Sequence, residues 1–191
     1  MGDLILSMKG ITKSFSGVAA LKNAALDLKA GEVVALMGEN GAGKSTLMKI
    51  LTGIYSKDSG EIQYMGQEVC FKGPAESEEA GISIVHQELN MMNDLTVAQN
   101  LFIGREEMNG FLIDDKKMNE KARELFKVLK IDINPAEKIG NLTVGKQQMV
   151  EIAKAISSKA KVIIFDEPTA VLTPSEIDEL MAIMKNLVKE G

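Results

Sequence analysis

The stretch Glu32-Val33-Val34-Ala35-Leu36-Met37-Gly38-Glu39-Asn40-Gly41-Ala42-Gly43-Lys44-Ser45-Thr46-Leu47-Met48-Lys49-Ile50-Leu51 decides the fold. Its first six residues are almost continuously apolar, the pattern of a strand buried on both faces of a parallel sheet. Its far end places Leu47, Ile50, Leu51 and Ile54 at i, i+3, i+4, i+7, which predicts a helix with one core-facing stripe. Between them, Gly38 to Ser45 matches G-x-x-x-x-G-K-[ST], and strand-loop-helix is the setting that phosphate-binding motif requires. Glycines let the backbone turn tightly and present successive N–H groups to phosphate oxygens at the positive end of a helix. Lys44 would set an ammonium on the β and γ phosphates, and the Ser45 hydroxyl would complete a Mg²⁺ shell. The loop by itself predicts nucleotide binding without separating kinases, GTPases, transport ATPases and motors.

Upstream of this stretch, Leu4-Ile5-Leu6 and Ala24-Ala25-Leu26-Asp27-Leu28 read as short strands, and downstream Glu61-Ile62-Gln63-Tyr64 does the same. Antiparallel pairing is expected among them. Ile82-Ser83-Ile84-Val85 and Val162-Ile163-Ile164-Phe165 resemble the buried Glu32–Met37 run but are shorter. Helical stripes recur at Met149, Ile152, Ala153 and Ile156 and at Ile177, Leu180, Met181 and Met184. Thr173-Pro174-Ser175-Glu176 joins a capping box to a first-turn proline, and Thr96-Val97-Ala98-Gln99 is a second box. Met118, Ala122, Leu125 and Leu129 predict a helix after Asp114-Asp115. The stretch 88–140 is therefore expected to be a mostly helical subdomain inserted between two sheet strands.

Composition agrees with one globular domain of α/β class. The 191 residues are 45% hydrophobic and 26% charged, enough for a core. The longest apolar runs fall far short of the roughly 18 residues a membrane helix needs. With 22 Lys plus Arg against 27 Asp plus Glu and a net charge of -5, the broad basic surface of a nucleic-acid binder is missing. No nucleic-acid partner is expected. The N-terminus shows no secretory pattern, and a single cysteine, Cys70, leaves no internal disulfide framework, so a reducing cytoplasm is expected.

The strand Val162–Phe165 delivers two adjacent carboxylates, Asp166 and Glu167, at its C-terminal end, where open α/β sheets bind ligands. Asp166 suits the direct or water-mediated Mg²⁺ role of the acid in phosphate-loop enzymes, and Glu167 could polarise a water for attack on the γ-phosphate. The pair follows Lys44 by 122 residues.

With both motifs present, the chain resembles the nucleotide-binding domain of ATP-binding cassette transporters, in particular the N-terminal cassette of bacterial importers for ribose, galactose and related monosaccharides. The resemblance runs over essentially the whole chain. It implies a phosphate-loop NTPase sheet with an N-terminal antiparallel β subdomain and an inserted helical subdomain, binding ATP and Mg²⁺. Nucleotide contacts are implied at Phe15, stacked on adenine, and at Gly38, Glu39, Asn40, Gly41, Ala42, Gly43, Lys44, Ser45 and Thr46. Mg²⁺ contacts are implied at Ser45, Gln87 and Asp166, and catalytic roles at Glu167, Gln87 and Lys44. His86-Gln87-Glu88-Leu89 stands in the place of the family's glutamine loop, which couples chemistry to the membrane subunits. Leu142-Thr143-Val144-Gly145-Lys146-Gln147-Gln148 aligns with the family signature, implying that Thr143 and Gly145 contact the γ-phosphate held by a second cassette. Integral membrane permease subunits are implied partners, with an indirect link to a sugar-binding protein. The implied location is cytoplasmic, peripheral on the inner membrane face.

The sequence departs from the family in two places. Thr143, Val144 and Lys146 replace serine, glycine and glutamine; Thr143 keeps a hydroxyl, while Lys146 brings a cation that strengthens phosphate contact or opposes the helix start. The switch histidine expected after the carboxylates is missing, because His86, the single histidine, precedes them. The helix pattern from Pro174 to Glu190 reaches Gly191, a C-cap residue, with no strand following. The sequence is thus expected to be one cassette incomplete at its C-terminus, binding ATP but hydrolysing it poorly. Alternatives are a soluble cassette ATPase uncoupled from transport, an importer of nucleosides and a phosphate-loop kinase. Only two arginines, Arg105 and Arg123, and no long heptads argue against a DNA-repair or translation role. The signature-like turn 21 residues before Asp166 argues against a kinase.

Overall fold

A computed structural model describes residues 2–39, 41–86, 89–158 and 160–190. The chain divides into two compact units, residues 1–82 with 184–191, and residues 83–183.

The first unit is built on β1 (Leu4–Phe15) and β2 (Val18–Lys29), a long antiparallel hairpin. Helix α1 (Lys44–Leu51) follows the phosphate loop; β3 (Ser59–Tyr64), β4 (Gln67–Glu68) and the short α2 (Pro74–Glu79) complete the unit. The sheet order is β2-β1-β3-β4, with every neighbouring pair antiparallel. The expected antiparallel strands are all present, and the first two are longer than the apolar runs suggested. Leu6, Met8, Ile11, Leu47, Leu51 and Ile62 are buried in this unit. Ser7 is also buried, and its hydroxyl donates to Asp27 at 2.6 Å, which satisfies a polar group that the sheet takes out of water.

Glu32–Met37 differs from expectation. It carries no strand assignment, and Val33, Val34, Leu36 and Met37 are 56, 38, 37 and 91% exposed. A strand exists only where a neighbour supplies the other half of its ladder. Among the described residues no strand pairs with this run. Helix α1 also stops one turn earlier than its apolar stripe. The Thr52 and Gly53 amides fold back onto the Met48 and Ile50 carbonyls, and Gly53 takes a φ of +73 where a Cβ would lie 2.6 Å from the Phe71 carbonyl oxygen. Ile54 therefore falls outside the helix and is 38% exposed.

The second unit holds β5 (Ile82–Val85), which begins at its boundary, α3 (Val97–Phe102), β6 (Met108–Asn109), β7 (Leu112–Ile113), α4 (Asp115–Leu129), α5 (Val144–Ser157), β8 (Val162–Phe165) and the start of α6 (Pro174–Glu190). Strands β5 and β8 are neighbours in a two-stranded sheet. Both predicted capping boxes form. The Gln99 amide donates to Thr96 Oγ1 at 3.2 Å while the Gln99 side chain accepts from the Thr96 amide; the Thr173 amide donates to Glu176 at 2.8 Å with the reciprocal bond at 3.4 Å. Helix α4 starts as expected, with Asp114 capping Lys117 N at 3.0 Å, and buries Met118, Ala122 and Phe126.

Within 88–140 the longer elements are the helices α3 and α4, and the stretch also holds the short hairpin β6-β7, paired Met108 to Ile113 and Asn109 to Leu112. With Asn109 paired to Leu112 the two-residue loop is Gly110-Phe111, and Gly110 takes the φ of +63 that glycine supplies at the first loop position of a tight hairpin. In α6, Leu180 and Ile183 are buried but Met181 is 44% exposed, so the buried stripe passes through Ile183 instead.

Candidate functional site

The phosphate loop lies in the first unit. Gly43 is the N-cap of α1 in left-handed conformation, φ 89, and a Cβ there would stand 2.6 Å from Leu21 Cδ2 and 2.8 Å from the Ala20 carbonyl oxygen. The loop is therefore held against β2 at a point only glycine can occupy. No side chain caps α1, so its first-turn amides, those of Lys44, Ser45 and Thr46, face no side-chain oxygen. Lys44 Nζ donates to the Gly38 and Glu39 carbonyls at 2.7 and 3.0 Å, which bends the side chain back over its own loop. Ser45 is exposed and Thr46 half-buried. Gly41 and Ala42 are exposed, and Ala42 closes a turn onto the Glu39 carbonyl at 3.1 Å. Asn40 lies outside the described residues.

These features fit a triphosphate. The uncapped amides, the lysine donors now resting on carbonyls and the exposed hydroxyl are all groups that phosphate oxygens and Mg²⁺ take as partners. Mg²⁺ on a nucleotide needs only one or two protein oxygens, and the exposed Ser45 hydroxyl is an oxygen of that kind.

At the base end of the same unit, Phe15 closes β1 and is 40% exposed. Its ring meets Tyr55 edge-on, centroids 5.1 Å apart and planes at 70°, and Lys13 Nζ stands over it at 5.4 Å. Lys13 is held by Asp58 at 3.0 Å, and Asp58 also accepts from the Ser14 amide at 2.7 Å. The Lys13 bond first, and the Ser14 amide second, hold the Asp58 carboxyl below its ordinary value. Tyr55, Lys13 and Asp58 were not singled out by sequence. Lys13 stands two residues before Phe15 on β1, a spacing legible in the sequence, whereas Tyr55 and Asp58 reach β1 from a separate segment beyond α1.

In the second unit, the Asp166 amide donates to the Val85 carbonyl at 3.0 Å, fixing the end of β8 beside β5. Asp166 is half-buried and Glu167 exposed. Glu167 has a φ of 50, a left-handed conformation uncommon for a side chain of its kind, and its carbonyl accepts from the Ala170 amide at 3.3 Å. The chain thus reverses at the second carboxylate. Gln87 lies outside the described residues.

The signature-like turn starts α5. Thr143 is its N-cap, with Oγ1 accepting from the Lys146 amide at 3.3 Å, so the hydroxyl serves the helix as an acceptor while its proton stays available to a ligand. Lys146 and Val144 are exposed, whereas Gly145 is buried. A Cβ on Gly145 would fall on the Glu176 carboxylate, which is itself pinned by the Thr173 amide and hydroxyl at 2.8 and 2.9 Å. That approach between two helix starts has no counterpart in the sequence pattern.

The ABC transporter family matches residues 21–170, from within β2 to just beyond the paired carboxylates. The chain is 53% identical over 189 residues to a putative ribose/galactose/methyl galactoside import ATP-binding protein of Albidiferax ferrireducens, covering 98% of this chain and 38% of that protein. It is also 53% identical over 190 residues to the ribose import ATP-binding protein RbsA of Halalkalibacterium halodurans, again covering 98% and 38%. The chain spans well under half the length of these curated relatives. Among solved structures, a nucleotide-free ATP-binding cassette from an ABC transporter superposes with a TM-score of 0.86 at 29% identity, over 99% of this chain and 79% of that one. The dimeric post-hydrolysis state of the cassette MJ0796 bound to ADP and Pi gives 0.81 at 27% identity, over 97% and 84%. The antiparallel subdomain, the phosphate loop and the helical segment thus recur together in solved cassettes, and the chain belongs to the ABC transporter family.

Proposed function

We propose that this chain is the ATP-binding and hydrolysing part of a monosaccharide importer, peripheral to the cytoplasmic face of the membrane. The observation that carries the reading is the 53% identity, over 98% of the chain, to proteins named for ribose and galactose import. No helix among the described residues is long and apolar enough to cross a membrane.

In this reading Lys44 leaves the Gly38 and Glu39 carbonyls for the β and γ phosphates, and the α1 amides of Lys44 to Thr46 hold the oxygens between them. Ser45, Asp166 and Gln87 would hold Mg²⁺. The metal would supply positive charge to the phosphate oxygens as negative charge builds on them. Glu167, whose backbone is left-handed, accepts the proton of the attacking water. Phe15 stacks on the adenine. Thr143 and Gly145 meet the nucleotide of a second cassette, and the Gln87 region transmits closure to the permease, which receives sugar from a binding protein. The 191 residues hold no histidine after Asp166, so on their own they bind nucleotide and turn it over slowly.

The test is Glu167→Gln in the full-length chain. ATP binding is retained, while hydrolysis and ATP-dependent uptake of ribose or galactose are lost. Unchanged turnover removes Glu167 from its role. Sugar uptake that persists after deletion of the gene, or loss of nucleoside uptake alone, removes the monosaccharide assignment.

A further inference from the structure

Two contacts in the first unit converge on Phe15 from one short segment. Tyr55 closes on the ring at 5.1 Å, and three residues later Asp58 grips Lys13 at 3.0 Å and the Ser14 amide at 2.7 Å, the two residues that lead into Phe15. A third bond, from the Asp58 amide to the Thr12 carbonyl at 2.9 Å, continues the grip along β1. The segment is itself anchored to α1, because the Tyr55 amide donates to the Lys49 carbonyl at 3.0 Å and Lys49 Nζ stands over the Tyr55 ring at 5.6 Å. An exposed phenylalanine at a strand end would otherwise sample several rotamers and lose that freedom on stacking with a base.

We infer that Tyr55 and Asp58 are positioning residues for the purine of the bound nucleotide, presetting the Phe15 ring as a stacking platform and tying it, through α1, to the phosphate loop. The inference rests on the reading of Phe15 as the base-stacking residue. Three observations carry it. Phe15 keeps 40% of its surface exposed although Tyr55 and Lys13 flank it, so part of the residue stays open to a flat ligand. The Lys13 cation over the ring draws π density toward itself, which favours an electron-rich base on the free surface. Helix α1 begins at Lys44 and ends just before the segment carrying Tyr55, so one rigid element links phosphate recognition to base recognition.

The experiment compares affinities for MgATP and for Mg-tripolyphosphate, which has the phosphates without the base, by calorimetry on the full-length chain. Tyr55→Leu is expected to weaken MgATP about three- to tenfold, the range for loss of an edge-to-face aromatic pair, and to leave Mg-tripolyphosphate within about twofold. Asp58→Asn should act in the same direction, and Tyr55→Phe, which keeps the ring, should behave as wild type. Equal weakening of both ligands by Tyr55→Leu would show a merely structural role and overturn the inference, as would no effect on either. Phe15→Ala separates the two levels. If it leaves the ratio of the two affinities unchanged, the base-stacking reading of Phe15 is itself wrong; if it collapses the ratio while Tyr55→Leu does not, only the positioning role falls.

Discussion

Glu167 offers a test of whether a left-handed backbone is built into this site. Its φ of 50 places Cβ against the following carbonyl, a conformation that costs a residue with a side chain about 1–2 kcal/mol. The residue is exposed, so exchanging its side chain changes little burial. Glu167→Ala and Glu167→Gly both remove the carboxylate and its repulsion with Asp166, and they differ only by one Cβ. Glycine escapes the left-handed penalty but adds unfolded-chain freedom worth about 0.4–1 kcal/mol. The difference leaves Glu167→Gly more stable than Glu167→Ala by about 0.5–1 kcal/mol, the reverse of the usual order of these two residues. In a chain of this size, that is an upward shift in Tm of about 1–4 °C, measurable by thermal denaturation without ligand. Neither variant should hydrolyse ATP. If alanine proves the more stable of the pair, the backbone at 167 relaxes to an ordinary conformation and the strain argument fails.

Other perturbations address separate parts of the molecule. Gly43→Ala combines a φ of 89 with a Cβ placed 2.6 Å from Leu21 Cδ2, so it should lower stability by about 2–4 kcal/mol and weaken nucleotide binding; a wild-type urea midpoint would contradict the close approach. Thr96→Ala removes the capping box of α3 and should cost about 1 kcal/mol, read as faster amide exchange in that helix, which an unaltered protection pattern would refute. Glu107 is held below its ordinary value of 4.5, first by its bond to Lys117 and then by its bond to Lys121. Because the folded value is the lower one, its contribution is complete above about pH 4.5 and is lost as pH falls through the folded value. Stability measured from pH 6 to about pH 3 should fall less steeply in Glu107→Gln, and an identical acid limb would exclude the ion pairs. Gly145→Ala should push Glu176 off Thr173 and loosen the start of α6, visible as lost protection of the Glu176 amide; retained protection would place the carboxylate elsewhere.

Much of this organisation was legible because it is local. A capping box uses residues three apart, so Thr96 with Gln99 and Thr173 with Glu176 could be read directly and both form. The phosphate loop is a run of eight residues whose chemistry lies in its order. The Gly110-Phe111 loop is equally local, a two-residue hairpin turn led by glycine within a stretch whose longer elements are helices. Glu32–Met37 is a different case. Its apolar run reports a preference for burial, but burial is supplied by neighbours that pack or pair with it, and none of the described strands pairs with it.

By itself the sequence singled out the groups proposed to meet phosphate, metal and water: Lys44, Ser45, Asp166 and Glu167 follow from residue type and spacing, since a charge or hydroxyl brings its chemistry with it. The antiparallel first strands and the starts of α3, α4 and α6 also follow from local hydrogen-bond demand. Tertiary structure alone decided that Tyr55 and Asp58 converge on Phe15, that Glu176 covers Gly145 and that Glu167 sits in a left-handed turn. Each of these depends on where separate elements come to rest or on a backbone angle they impose, and chain connectivity encodes neither until the elements have packed.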